Sequence, residues 1–171
     1  VLLNESISPE ENKNLHLVLA GGYDPQLPEN REVYKELKTL VNKEGLEHKV
    51  TFMPSFSDDD KVALLTKCLA VVYTPSNEHF GIVPVEGMYF EKPIIAVNNG
   101  GPTESIKHGE TGYLCNPNPS DFSTAMRDLL KNKNKAREMG EQGKNRTLEL
   151  FSLDNFGDKL NEIVENVAAS G

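Results

Sequence analysis

The sequence predicts an α/β fold in which a parallel sheet is covered by helices on both faces. Three observations carry that prediction. Short apolar runs rich in β-branched residues recur, as in Leu15-His16-Leu17-Val18-Leu19-Ala20 and Leu69-Ala70-Val71-Val72-Tyr73. Longer segments with apolar residues at helical spacing separate them. Strand–helix alternation implies right-handed βαβ units, whose crossovers return the chain to a parallel neighbour. With 171 residues the chain is the size of one domain, which buries about 70% of its unfolded surface.

The elements follow in order. Leu15 to Ala20 reads as a strand stopped by Gly21-Gly22. Glu29 to Lys43 carries Val33, Leu37, Leu40 and Val41 along one face, an amphipathic helix closed near Gly45. Lys49 to Met53 is a second strand, ended by Pro54. Ser57 then caps a helix with Asp58, Asp59 and Asp60 in its first turn, where the helix dipole favours acids. Leu69 to Tyr73 is nearly all apolar and is expected to be covered on both faces. Gly81 to Glu91 is the next helix and Pro93 to Val97 the next strand. A short helix over Thr103 to Lys107 follows Gly100-Gly101-Pro102, and Thr111 to Cys115 is the last strand. From Pro119 onward only helices are expected: Ser120 to Lys131, Lys133 to Glu149 and Ser152 to Ala168.

Composition narrows the function. A net charge of −8 argues against a nucleic-acid partner, which needs a basic face. It leaves a nucleotide ligand open, because a helix N-terminus and a few donors hold one diphosphate whatever the global charge. Cys68 and Cys115 stand in apolar surroundings and are expected as buried, reduced core residues; neither has a Cys or His at metal-ligand spacing. Asn4-Glu5-Ser6 and Asn145-Arg146-Thr147 match the glycosylation triplet, a pattern that arises often by chance. No apolar run approaches the roughly 18 residues of a membrane span, and no signal peptide opens the chain.

In parallel sheets of this kind ligands bind at the carboxyl ends of the strands, so the loops after Ala20, Met53, Tyr73 and Val97 are the places to look. The third is the most informative. Glu78 precedes a helix opened by Gly81, and Glu86 lies on its second turn. The amides of Gly81, Ile82 and Val83 would offer a diphosphate both hydrogen bonds and the helix dipole. A carboxylate one turn further in suits a diol, since it accepts from two hydroxyls at once. Two acids around a helix start can also be ordinary surface charges. Glu86, however, sits within Val83-Pro84-Val85-Glu86-Gly87-Met88, where an acid without a partner is costly.

The other loops keep two readings each. Asp58 and Lys61, three apart on one helix face, could read the edge of guanine, or be a dipole-matched acid beside a surface lysine. Pro54 to Phe56 would line that base pocket, Phe56 with its ring. Gly100 and Gly101 either approach a bound donor or form a simple turn. The Asp58-Asp59-Asp60 run is no metal site on this reading, because successive helical side chains point in different directions.

The run Glu78-His79-Phe80-Gly81-Ile82-Val83-Pro84-Val85-Glu86 resembles the E-x7-E signature of the large retaining glycosyltransferase family with two Rossmann-like domains (GT-B, glycosyltransferase family 4). The longer text is similar to the α-1,3/α-1,6-mannosyltransferases of the dolichol pathway. It comprises Ala20-Gly21-Gly22-Tyr23-Asp24, Tyr73 to Pro84, Ile95-Ala96-Val97-Asn98 with Gly100-Gly101-Pro102, Glu104-Ser105-Ile106 and Thr111 to Cys115. The resemblance covers about residues 15 to 120.

What it implies is specific. The chain would be one nucleotide-sugar-binding domain, the C-terminal half of such an enzyme: 1–14 a truncated first unit, 15–118 the Rossmann-like core, 119–171 the C-terminal helices. Glu78 would contact hydroxyls of the transferred sugar and Glu86 the nucleotide ribose, while Phe80, Gly81, Ile82 and Val83 surround the diphosphate. His79 would hydrogen-bond the donor or simply shape the turn. The donor would be GDP-mannose and the acceptor a dolichol-linked oligosaccharide, with no metal or other cofactor required. The site of action would be the cytoplasmic face of the endoplasmic reticulum, with membrane contact made only by the full-length protein. Another GDP- or UDP-sugar transferase, or a binding module without turnover, remains open.

The chain also departs from the family's pattern. A basic pair that neutralises the diphosphate belongs on a unit before Leu15, where Lys13 is the basic residue present. The acceptor-binding N-terminal domain is not in this sequence, and Ser152 to Ala168 resembles the helix that crosses back to it. The 171-residue chain alone is therefore expected to bind donor weakly and to transfer nothing.

Overall fold

The computed structural model describes residues 1–169. The chain divides into two compact units, Val1–Leu64 and Leu65–Gly171.

The first unit opens with two short helices, α1 (Leu2–Ser6) and α2 (Pro9–Lys13), followed by β1 (Leu17–Gly21), α3 (Pro28–Lys43), β2 (Val50–Pro54) and the start of α4 (Asp58–Lys67). Its two strands pair in parallel, Leu17 opposite Val50 and Gly21 opposite Pro54. The α2 helix is fixed by a capping box: Ser8 Oγ accepts from the Glu11 amide while the Glu11 carboxylate accepts from the Ser8 amide. Lys49 Nζ ties β2 to it by donating to the Asn12 carbonyl at 2.6 Å. The ring of Tyr34 on α3 meets Phe52 of β2 edge-on at 5.4 Å. The predicted α3 stripe is not buried in this unit, since Val33, Leu37 and Leu40 keep 38–54% exposure.

The second unit holds β3 (Val71–Tyr73), α5 (Ile82–Tyr89), β4 (Ile94–Val97), α6 (Pro102–Ser105), β5 (Gly112–Cys115), α7 (Pro119–Lys131), α8 (Lys133–Phe151) and α9 (Leu153–Ala169). Its sheet runs β3-β4-β5, all parallel. The strand covered on both faces is β4, whose four residues are all buried. Ile94 and Ala96 pack with Val85 and Met88 of α5. Ile95 packs with Ala125 and Leu129 of α7 and with Ala136 and Met139 of α8. The period-two alternation of the strand thus feeds two helical layers. The sequence expected this double burial of Leu69 to Tyr73; Val71, Val72 and Tyr73 are instead half-buried, because β3 has a strand on one side only and β4 lies between two. The predicted single sheet is realised as two parallel sets of strands.

Cys115 is buried as expected, but Cys68 is only half-buried, Leu65 on the preceding turn taking the buried place. Both thiols are free, and burial pushes their pKa up, away from the reactive thiolate.

Helix α5 ends in a left-handed residue, Glu91 (φ 58°), with Lys92 N–H donating to the Gly87 carbonyl at 3.0 Å. Glycine usually fills that position. Here Lys144 of α8 pairs with the Glu91 carboxylate at 2.7 Å, and Gly140 leaves room for its carbonyl: a Cβ there would fall 2.0 Å from Glu91 O. Helix α9 presents Leu153, Phe156, Leu160, Ile163, Val164 and Val167 on its surface, 47–82% exposed. Among the described residues, no helix is long and apolar enough to cross a membrane.

A polar knot closes the α7–α8 corner. Asp128 accepts from the Tyr113 hydroxyl, from Lys135 Nζ at 2.9 Å and from Asn132 Nδ2 at 2.7 Å. The Tyr113 bond chiefly, then Lys135, holds the Asp128 carboxyl below its usual range. A depressed carboxylate contributes stability above its unfolded pKa of about 4 that is lost as pH falls through the folded value. Asp128→Asn is therefore expected to lower the unfolding midpoint at pH 7, with the gap from wild type closing below about pH 4. Denaturant melts of both proteins from pH 7 to pH 2.5 check it; a gap independent of pH would remove the charge from the account.

Candidate functional site

The site is built where two adjacent parallel strands end. Because Tyr73 of β3 lies opposite Ala96 of β4, the loop from Thr74 to Gly81 and the loop from Asn98 to Gly101 leave the sheet side by side. They are joined main chain to main chain: the Gly101 amide donates to the Glu78 carbonyl at 2.8 Å. A side-chain bond runs alongside, Asn99 Nδ2 to Asn77 Oδ1 at 3.1 Å.

Glycine makes the approach possible. A Cβ on Gly101 would lie 2.1 Å from Phe80 O and 2.2 Å from Phe80 Cα, and one on Gly100 would lie 2.4 Å from Glu78 O. Gly81 and Gly100 both have left-handed backbone, φ 74° and 62°, which glycine adopts without steric cost. Asn77 does so too, at φ 62°, and asparagine is among the side chains that tolerate it. The reading of Gly100-Gly101 as a plain turn is incomplete: the pair is laid directly on the Glu78 loop.

Glu78 is half-buried. One of its carboxylate oxygens, Oε2, accepts from the Tyr73 hydroxyl at 3.3 Å, and that phenol is made less acidic first by burial and then by the Glu78 charge. Gly81 is packed beneath both: a Cβ there would meet Tyr73 Oη at 3.0 Å and Glu78 Cγ at 3.3 Å. His79 is exposed. The Phe80 ring turns away to meet Phe151 of α8 edge-on, centroids 5.6 Å apart, so only its backbone lies at the joint.

Gly81 is the N-cap of α5 and supplies no side-chain cap. The amides of Gly81, Ile82 and Val83 have no partner within the helix. Pro84, next along, is fully buried and carries no N–H, so the donors at this end number three. The side chains of Ile82 and Val83 are exposed. Glu86 follows on the second turn, half-buried between the buried Val85 and Gly87.

Phe56, Asp58 and Lys61 belong to the first unit, Phe56 and Lys61 half-buried and Asp58 exposed at the start of α4. Ser57 caps that helix as the sequence predicts: its hydroxyl donates to Asp60 Oδ2 at 2.6 Å and accepts from the Asp60 amide at 3.2 Å. The hydroxyl bond, joined by one from the Ser57 amide to the same oxygen at 3.0 Å, holds Asp60 below the usual carboxylate range and turns it back on the cap. Among the described residues no three His, Cys, Asp or Glu side chains converge as metal ligands. In the same unit Ser55, in left-handed backbone (φ 55°), bonds Tyr23 at both amide and carbonyl. The loops after β1 and β2 are therefore laced together as well.

Sequence reasoning missed Tyr73, Asn77 and Asn99. Tyr73 read as one more apolar strand residue, although a strand-end tyrosine five residues before an acid places a hydroxyl near it. It also missed Arg146, whose triplet drew notice to Asn145 and Thr147. Thr147 is buried and donates to the Gly143 carbonyl at 3.0 Å, whereas Arg146 reaches the carbonyls of Glu104 and Ser105. A groove of about 510 Å³ bordered by Tyr113, Asp121, Asp128 and Lys135 lies elsewhere in the second unit and has no residue of the Glu78 loop in its lining.

The profile of the family described as "Glycosyl transferases group 1" matches residues 2–146. The chain is 52% identical to the alpha-1,3/1,6-mannosyltransferase ALG2 of Mus musculus, over 96% of this chain and 40% of that protein. It is 47% identical to the protein of the same name from Homo sapiens, over 94% and 38%. The chain thus spans about two fifths of the length of these curated relatives. Among solved structures it superposes on sucrose-phosphate synthase from Thermosynechococcus elongatus with a TM-score of 0.78 at 26% identity, covering 91% of this chain and 39% of that one. Anabaena HepE in complex with UDP gives 0.82 at 24% identity, covering 96% and 43%, a likeness of fold.

Proposed function

Since the chain belongs to the group 1 glycosyl transferases, whose profile spans residues 2–146, we propose that it is the donor-binding half of a retaining mannosyltransferase that uses GDP-mannose. The observation that carries this reading is the joint between the Glu78 loop and Gly100-Gly101. It fixes a half-buried carboxylate ahead of a helix whose first three amides have no acceptor within the helix. The curated relatives' names support mannose as the transferred sugar.

In this reading the diphosphate rests on the amides of Gly81, Ile82 and Val83, where hydrogen bonds and dipole both favour an anion. Glu78 accepts from hydroxyls of the sugar and Glu86 from the ribose diol, with His79 at the sugar's edge. Gly100 and Gly101 admit the donor close to the main chain. The anomeric carbon loses its bond to the diphosphate and gains one to the acceptor oxygen on the same face. The departing diphosphate oxygen takes the acceptor's proton, so no nucleophile or metal is needed from this chain. Phe56, Asp58 and Lys61 would read guanine. The acceptor is a dolichol-linked oligosaccharide, extended by α-1,3 and then α-1,6 linkage at the cytoplasmic face of the endoplasmic reticulum. The remainder of the longer protein supplies the acceptor site, the basic groups facing the diphosphate and the cover for the apolar face of α9.

UDP is the rival nucleotide, being the one bound in the similar HepE structure. Calorimetry of this chain with GDP, UDP and ADP separates them. The expected result is a preference for GDP of at least about tenfold, the worth of one or two base-edge hydrogen bonds. A preference for UDP would withdraw the guanine role from Asp58 and Lys61. Transfer assays of the full-length protein with GDP-mannose and a lipid-linked acceptor test the activity itself, and efficient transfer by the 171-residue chain alone would refute the half-site reading.

A further inference from the structure

Helix α8 reaches the Glu78 loop from behind at two points. Arg146, half-buried, donates from Nε to the Ser105 carbonyl at 2.7 Å and from Nη2 to the Glu104 carbonyl at 2.9 Å. These carbonyls end α6, a helix of four residues whose last acceptors cannot be satisfied internally. The amides of Glu104 and Ser105 in turn donate to the Gly101 carbonyl at 3.0 and 3.3 Å, and the Gly101 amide donates to the Glu78 carbonyl. A hydrogen-bonded run therefore leads from the guanidinium to the peptide of Glu78. The second point is Phe151, five residues along, whose ring meets Phe80. Between helices α8 and α5 the packing is close: a Cβ at Gly140 would meet Glu91 O at 2.0 Å, and one at Gly143 would meet Met88 Cγ at 3.1 Å. The seat of α8 is thereby set by α5, the helix that Glu78 precedes.

We propose that Arg146 is a positioning residue for Glu78, holding it through α6 and Gly101 at the sugar-binding end of the donor site. The proposal rests on the role given to Glu78 above. Arginine suits the task because its planar fork reaches two carbonyls at once with charge-assisted bonds, where lysine would reach one as a point charge. Its influence is confined to the sugar end. The run ends at Glu78, whereas the α5 amides and Glu86 are held by α5 itself.

The test compares the wild-type chain, Arg146→Gln and Arg146→Lys by calorimetry with GDP and with GDP-mannose, and by hydrogen exchange at the Gly101 amide. Arg146→Gln is expected to lose about tenfold in the preference for GDP-mannose over GDP, with GDP affinity itself held within about twofold, and to speed Gly101 exchange by about tenfold or more. Arg146→Lys falls between the two. A folded Arg146→Gln with an unchanged preference and unchanged Gly101 exchange overturns the proposal. Should the glutamine variant fail to fold, an unchanged preference in Arg146→Lys overturns it. A wild-type chain showing no preference for GDP-mannose refutes the sugar role of Glu78 instead, and Gly101 exchange in the variants then decides whether Arg146 holds the loop.

Discussion

Gly101→Ala is expected to cost about 3 kcal/mol of stability, at the upper end of what an extra methyl exacts in a packed site, and to weaken GDP-mannose binding along with it. The cause is steric. Gly101 has ordinary helical backbone, φ −51° and ψ −36°, so alanine meets no conformational penalty. Its methyl would instead fall 2.1 Å from Phe80 O, 2.2 Å from Phe80 Cα and 2.3 Å from Phe80 C. These are main-chain atoms and have no rotamer to yield. Relief requires the loops to part, which breaks the Gly101–Glu78 hydrogen bond of 2.8 Å. Gly157 on α9 is the control, because a Cβ there meets nothing within 4 Å. At that half-buried helical position, with open space for the methyl, alanine is expected to stabilise by about 0.5–1 kcal/mol. Denaturant unfolding of both variants measures the contrast, and equal midpoints would show that the joint is looser than the distances require.

Glu78→Gln in the full-length protein is expected to lower mannosyl transfer by about 10²–10³-fold, the range seen when one preorganised polar group is removed from a transition state. GDP binding should stay within about twofold, because the change touches the sugar end and leaves the α5 amides alone. Glutamine keeps the Glu78 carbonyl, so the joint to Gly101 survives, and it can still accept from Tyr73. The variant therefore separates charge from architecture. Steady-state transfer and GDP titration on the same preparation decide it. Undiminished transfer would leave Glu78 a loop-former with no part in the sugar chemistry.

Much of the fold was legible because local signals there agreed with the tertiary outcome. The helix starts at Ser57 and Pro119, the breaks at Gly21 and Pro54, and the strand through Ile94 to Val97 follow from residues whose backbone preferences are strong. Ser8-Pro9-Glu10-Glu11 carries a capping-box signature as well, and α2, which the sequence reading does not include, begins there. Which strand would be doubly covered was not legible. Val71-Val72-Tyr73 and Ile94-Ile95-Ala96 read alike, and only strand order separates a flanking strand from a central one. The Glu78 loop was recognisable from the resemblance of its whole run, since two acids around a helix start can by themselves be ordinary surface charges. The grip of Arg146 on α6 was not, because it spans 41 positions to Ser105, and its partners are carbonyls, which every residue carries and no sequence pattern advertises.

The joint between the loops bears on how such a site diversifies. Its shape is set by an amide, a carbonyl and two residues without side chains, so the geometry is indifferent to what His79, Asn98 or Glu104 carry beyond the backbone. Those exposed positions can be exchanged by mutation while the glycines keep the loops in register. Substrate preference is thereby free to drift on a frame that does not, and libraries randomised at the three positions should yield folded proteins far more often than libraries that touch Gly100 or Gly101.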